Sequence, residues 1–298
     1  MSKILVTGAS GDLGRKTLLH LLKRTSANEL VGLVRDPSKA SDLAALGVEL
    51  RQGDYLDRES LARAFKGVEK IMLTATHAFT DRNTAHGNVI DVAVKSGVGH
   101  LVFMPIIRKK NSAFAMKEIT EEDIFTVQKL RSSGLAYTLA EHPPFLDVLG
   151  FYVGTNAHEV GVQVPAGNGK FAAASRNDLA EAHAAILTGR GHENKSYALT
   201  GDPAVSFADI AEIFSEIHGR KVPYEVVSDE RFMELKRPAG FPEFVIEFVL
   251  KWVQGMNAGE WQEQTRDLES LIGRKPITTF EFFRDELLKP KSPLTTLQ

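Results

Sequence analysis

The chain has 298 residues, 43% of them hydrophobic and 25% charged, which suits a folded protein with one large domain or a domain plus an appendage. Its 36 basic and 38 acidic side chains leave a net charge of −2, without the basic excess of a nucleic-acid surface, so no nucleic-acid partner is expected. The absence of cysteine excludes disulfides, thiolate metal sites and cysteine nucleophiles, and no metal site is expected.

In chain order, Met1-Ser2-Lys3-Ile4-Leu5-Val6 enters a strand at once and shows no signal-peptide core. Short apolar runs at Ile4–Thr7, Glu29–Val34, Val48–Gln52, Lys70–Thr74, His100–Met104 and Ala136–Ala140 predict strands. Between them, helical patterns lie at Leu13–Arg24, Lys39–Leu46, Arg58–Ala64, Thr84–Ser96 and Glu121–Ser132. Such alternation predicts a Rossmann-type, doubly wound parallel α/β sheet built by residues 1–150. Past Gly150 a smaller, mostly helical lobe is expected over residues 151–298, with 171–201 returning to the sheet. Turns precede Phe171–Ala174, a helix follows at Asp178–Leu187, and Tyr197–Thr200 reads as a strand. Further helices are expected at Ser206–His218, Asp229–Leu235, Pro242–Gln254 and Glu260–Leu271, with a strand at Val222–Val227 and a mobile tail from Lys289 to Gln298. The longest apolar stretch, Phe244–Trp252, is interrupted by Glu247 and Lys251 and is too short to span a bilayer, so no membrane contact and a cytoplasmic location are expected.

The string Thr7-Gly8-Ala9-Ser10-Gly11-Asp12-Leu13-Gly14 follows the first strand and opens the first helix. Unpaired N–H groups at a helix start attract phosphate, and glycines let backbone approach a pyrophosphate closely. A tight turn without ligand is the bland alternative. The cofactor type is read at the end of the second strand. An NAD site commonly has an acidic residue about 20 positions past the glycines, and Arg35 stands there instead. A guanidinium suits the 2′-phosphate of NADP(H), which is preferred over NAD(H), although Asp36 follows and Arg35 could be a solvated strand end. Asp54 and Tyr55 end the third strand, the usual place for a side chain beside the adenine. Thr74, Ala75, Thr76 and His77 end the fourth, where the nicotinamide ribose would lie; for His77 an ordinary exposed loop position is an equal reading.

Taken with His86–Asp91, Gly134–Leu139, Ala173–Asp178, Tyr197–Gly201 and Val222–Glu225, these residues resemble the NmrA-like branch of the atypical short-chain dehydrogenases, and especially its quinone- and dye-reducing members. The resemblance runs from about Lys3 to Gly273 and implies NADPH in the crevice with a substrate under the C-terminal lobe. The usual Tyr-x-x-x-Lys relay is missing: tyrosines 55, 137, 152, 197 and 224 are followed four residues later by Glu59, Glu141, Asn156, Gly201 and Ser228. Met104-Pro105 stands where a serine usually ends the fifth strand. After the sixth strand, Ala140-Glu141-His142-Pro143-Pro144-Phe145 replaces a segment in which relatives carry arginine, so the family's acid/base chemistry does not transfer.

That segment is expected to pass beneath the nicotinamide, with His142 and Phe145 against the cofactor. His142 is the first candidate proton donor, weighed against a structural histidine in a proline-rich turn, and Asp123 comes second as an exposed carboxylate that would be ionised. Phe241–Val253 is apolar on nearly every face and reads as packing or as a lid over an aromatic substrate. The expected function is NADPH-dependent hydride transfer to an apolar or aromatic carbonyl, quinone or dye-like acceptor. The rival is a non-catalytic NADP(H) sensor acting through a protein partner, and a sugar-nucleotide epimerase is disfavoured because it too needs the Tyr-Lys pair. A homodimer is left open.

Overall fold

The computed structural model describes residues 2–288, with side chains described to residue 285; the tail from Lys289, expected to be mobile, lies outside the described residues. A seven-stranded parallel sheet runs in the order β3-β2-β1-β4-β5-β6-β8. Its first half alternates strands and helices: β1 (Lys3–Val6), α1 (Asp12–Leu21), β2 (Leu30–Val34), α2 (Ser41–Ala45), β3 (Glu49–Gln52), α3 (Arg58–Ala64), β4 (Val68–Leu73), α4 (Arg82–Lys95), β5 (His100–Phe103), α5 (Glu122–Ser132) and β6 (Ala136–Glu141). The expected strands and helices of this half all form, with ends shifted by one to three residues where turns take over. Strands such as Leu30–Val34 are buried along their whole length because helices cover both faces of the sheet.

The second half holds α6 (Leu149–Val153), α7 (Ala157–Val160), β7 (Val162–Pro165), α8 (Arg176–Thr188), β8 (Lys195–Ala198), α9 (Phe207–His218), β9 (Tyr224–Val227), α10 (Asp229–Lys236), α11 (Glu243–Asn257), α12 (Asp267–Ile272) and α13 (Thr279–Leu288). β8 joins the large sheet beside β6, and α8 packs along α1, so this stretch of the second half completes the first. The strand expected at Val222–Val227 forms as β9, which pairs in parallel with β7 in a separate two-stranded sheet. Phe171–Ala174 makes only isolated bridges, to Phe145 and Val205. The helix expected from Glu260 begins at Asp267, since the preceding residues turn so that Trp261 can reach back to the loop after β5.

Three buried clusters fill the molecule. One lies between the sheet and α1, α8 and α12, a second between the sheet and α3–α5, and a third inside the C-terminal lobe. The start of α1 sets the spacing of the first. A Cβ at Gly14 would stand 2.4 Å from the Gly8 carbonyl oxygen and 3.0 Å from that of Thr7, so only glycine lets the helix rest on the turn. Gly14→Ala should therefore cost roughly 1–3 kcal/mol of stability, the usual range for forced overpacking. An unchanged midpoint in urea denaturation would contradict this packing.

Candidate active site

At the carboxyl edge of the sheet, neighbouring strands β1 and β4 send their connections to opposite faces, and such a switch point opens a crevice. The turn Gly8–Gly11 lies there. Gly8 has φ of +63°, and Gly11 is the N-cap of α1 without a side-chain cap. Helices α3, α4, α8, α9 and α10 each receive a cap from Asp57, Asp81, Ser175, Ser206 or Ser228. α2, α5, α6, α7, α11 and α12 lack such a cap as α1 does, and what sets α1 apart is the open glycine turn before it, where a Cβ at Gly11 would meet only the Gly8 oxygen, at 3.3 Å. Ser10, Gly11 and Asp12 are exposed, while Ala9 and Leu13 point into the core. This cradle fits a pyrophosphate.

On its adenosine side, Arg35 is exposed at the end of β2, and among the described residues its guanidinium makes no ion pair. Asp36 is committed locally: its carboxylate accepts from the Ser38 amide at 3.0 Å and from the Ser38 hydroxyl at 2.7 Å, which lowers its pKa. The carboxylate beside Arg35 thus starts the next turn. Arg15 of α1 binds Asp42 and the Lys39 carbonyl, holding the chain beyond Arg35 against the helix. Asp54 accepts the Leu56 amide at 2.9 Å. The Tyr55 side chain is half-buried. Its hydroxyl reaches under the glycine turn, hydrogen-bonded to Thr7 Oγ1 and to the Thr74 carbonyl, and burial raises its pKa.

The loop Thr74–Asp81 after β4 is held at its base. The Thr74 amide donates to Thr7 Oγ1 at 2.9 Å, and the Thr76 amide donates to His86 Nε2 at 3.1 Å. Arg82, 3% exposed, donates to the Thr76 carbonyl and pairs with Asp123 and Glu122 of α5. Asp123 in turn accepts the Ile106 amide at 2.8 Å, so one buried cluster ties the loops after β4 and β5 to α5. Asp123 is therefore not the exposed carboxylate expected. Burial raises its pKa against the opposing pull of Arg82, and both oxygens are occupied. Its role is to position loops. His77 is exposed on the loop surface.

Phe79 in the same loop has φ of +65°, a conformation disfavoured for any residue with a Cβ, and its ring meets Phe244 and Phe248 of α11 at 4.8 and 5.1 Å. Phe244, Phe248 and Trp252 recur every fourth residue on one helix face. The row continues through Trp261, stacked at 4.9 Å on Trp252, to Phe114. Trp261 Nε1 donates to the Ile107 carbonyl at 3.0 Å, fastening the row to the loop after β5. The apolar face of α11 thus lies against both loops at the carboxyl edge.

After β6, His142 exchanges backbone bonds with Pro105 and Ile107, which prolongs the β5–β6 pairing. Its side chain does not face the crevice as a donor. It is 2% exposed and stacked on His183 of α8, with the two Nε2 atoms 2.8 Å apart. Thr17 spends its hydroxyl hydrogen on the Leu13 carbonyl, so it can only accept from His183 Nδ1 at 3.4 Å. His183 Nε2 must then accept from His142 Nε2–H, and both rings are neutral. Burial lowers the His183 pKa to about 3 and that of His142 well below 6.5, the latter helped by His183 and Arg176. An imidazolium donor near neutral pH is excluded on this geometry. The charge neighbours of Glu141 are Arg131 and Asp267, on α5 and α12, rather than the cofactor turn. The group that sequence reasoning missed is Arg176, which lies 5.0 Å over the Phe145 ring and pairs with Asp12 at 3.3 Å. It thereby brings a positive charge to the mouth of the glycine turn.

His86 is likewise neutral, its pKa lowered to about 3 by burial and then by Arg82. Unfolding frees such a ring to bind a proton with an ordinary pKa of 6.5, so the unfolded state takes up protons as pH falls from 6.5 toward 3. Stability must fall over that window, by up to about 1.4 kcal/mol per pH unit for each such histidine. His86→Gln should flatten the dependence by about that slope in urea titrations at pH 7, 6 and 5; parallel curves for parent and variant would contradict the assignment.

Comparison with known proteins agrees with this geometry. The chain is 32% identical to quinone oxidoreductase 2 of Escherichia coli over 93% of its own length and 95% of that protein's. The crystal structure of that enzyme complexed with NADPH superposes with a TM-score of 0.88, at 31% identity, over 96% of this chain and 100% of the other. The triphenylmethane reductase of Citrobacter sp. gives a TM-score of 0.88 at 32% identity, covering 96% and 99% of the two chains. The NAD(P)H azoreductase of Xenophilus azovorans is 30% identical over 94% of this chain and 96% of its own. The NmrA-like family model matches residues 1–281, and the chain belongs to that family.

Proposed function

We propose that the protein is an NADPH-dependent reductase that passes hydride to a quinone or dye-like aromatic acceptor. The observation that carries the reading is the meeting of an uncapped phosphate-binding turn and an aromatic row at one edge of one sheet. NADP(H) would be held by the amides of residues 8–14 with Arg35 at the 2′-phosphate, and Phe145 and Arg176 would lie along its path toward the nicotinamide. When bound, it supplies the hydride. The chain's own contribution is orientation and the exclusion of water, through the loops that Arg82 fastens and the α11 face above them. Neither His142 nor Asp123 is retained as a proton donor. Relatives named as quinone, azo-dye and triphenylmethane-dye reductases support this class of acceptor.

In this reading residues 1–150 with 171–201 form the cofactor half, and the remainder of 151–298 covers the acceptor. Among the described residues no helix is long and apolar enough to cross a membrane, and a cytoplasmic enzyme is proposed. A homodimer would use the outer face of α4 and α5, where Val94 and Phe125 are exposed beside a groove of about 420 Å³ in which Asp91 is already paired with Arg58 and Lys129. Light scattering on the purified protein decides that point.

NADPH oxidation is measured against a panel of quinones and cationic dyes; tight NADPH binding with no turnover on any acceptor would favour the sensor instead. Arg35→Ala should weaken NADPH on the order of 10–100-fold and leave NADH almost unaffected, as loss of charge-assisted hydrogen bonds to one phosphate requires. Equal losses in calorimetry would refute the 2′-phosphate role. Gly11→Val should keep the fold, since its Cβ has one near contact, and lose NADPH because the side chain occupies the pyrophosphate's path. Retained affinity would place the phosphates elsewhere.

A further inference from the structure

Tyr152, on α6, stands beside the aromatic row. Its ring is 6.3 Å from that of Trp252 in the aromatic row, at 35°, and it belongs to the buried cluster of the C-terminal lobe. The charge of Arg176, a side chain that itself spans Phe145 and Asp12 of the cofactor turn, acts on the phenol. The residue is 6% exposed, yet among the described residues its hydroxyl makes no hydrogen bond. Nor is that oxygen sealed away, unlike the unpartnered Nδ1 of His142. The other tyrosines differ. The Tyr55 hydroxyl is spent on Thr7 and Thr74, and that of Tyr197 meets His192 at 2.8 Å. Tyr137 lies near the opposite end of β6, and Tyr224 is in the small sheet.

We propose that the Tyr152 hydroxyl donates a hydrogen bond to the carbonyl oxygen of a quinone acceptor as hydride arrives. The inference rests on the reductase reading and adds the group that meets the developing charge. Hydride from NADPH converts a quinone to the hydroquinone anion, whose oxygen gains the electron pair of the former carbonyl π bond; a proton from solvent then completes the hydroquinone. A donor held at that oxygen stabilises the charge as it grows, without having to give up its own proton. Burial pushes the phenol's pKa upward against Arg176, so the hydroxyl keeps its hydrogen throughout the neutral range. A triarylmethane dye cation behaves oppositely. Hydride neutralises it at carbon, and no oxygen acquires charge.

The test compares the parent with Tyr152→Phe, which preserves the ring and its packing. With 1,4-naphthoquinone the variant should lose roughly 10²–10³-fold in kcat, the usual worth of one such donor. With a triarylmethane cation, the loss in kcat should be at least about tenfold smaller. Equal losses on both acceptors would mean a packing defect and overturn the proposal, as would an unchanged quinone rate. A second measurement is independent of turnover. The chain's two tryptophans, Trp252 and Trp261, are both in the row, so their fluorescence reports ligands there. Titration with 4-nitrophenolate in the presence of NADP⁺ should show binding weakened roughly tenfold or more in the variant. Equal phenolate affinity would refute the hydroxyl's role. A parent protein that reduces neither acceptor would refute the reductase reading, while the phenolate titration still decides on Tyr152.

Discussion

The seat of α1 on the Gly8 carbonyl governs the rest of the molecule. The Gly11 amide closes the turn on the Gly8 carbonyl, and the helix starts directly from that contact without a side-chain cap. The same close seat brings Thr17 and Leu18 down to the level at which α8 packs. From there the contact passes through His183 to His142 and so to the segment after β6. The glycine turn and the segment after β6 are thus joined beneath the sheet by one helix pair.

Above the sheet the joining is ionic and aromatic. Arg82 is the only cation reaching Thr76, Glu122 and Asp123 among the described residues, and two carboxylates around one buried guanidinium are stable only while all three segments stay in place. The loops it organises are those that meet α11, one through Phe79 and the other through Trp261. The C-terminal lobe is therefore docked on residues that also border the crevice, and its position and the loops' position are a single variable.

Much of this is legible in the amino-acid order. The strand-turn-helix at Lys3–Leu21 is readable because three spaced glycines between an apolar run and an amphipathic one leave few other conformations, and Arg35 is readable from its distance to them. What escapes is set by contacts between distant segments. Parity along β6 places Thr138, Ala140 and His142 on one face, but that this face is covered by α8 depends on a helix some forty residues later. Asp123 looks solvated until Arg82 is brought beside it. The pairing of β7 with β9 spans three intervening elements, α8, β8 and α9, and nothing local in Val162–Pro165 announces its partner. Arg176 begins a helix and reads as an ordinary first-turn residue until α8 is laid beside Phe145.

The return of the chain to the sheet at β8 also constrains the order in which the protein can fold during synthesis. When residue 150 has emerged, every residue of the phosphate turn is present, yet the apolar face of α1 formed by Leu13, Leu18 and Leu21 still lacks its cover. That cover, Leu179, Ala180 and Ile186 of α8, arrives later, and β8 follows it to close the β6 edge. Until then the nascent sheet exposes an unpaired edge and an uncovered face together, the combination most open to association with other chains. Completion of the large sheet is thus delayed until Ala198 is made and requires a closure across more than 150 residues between α1 and α8.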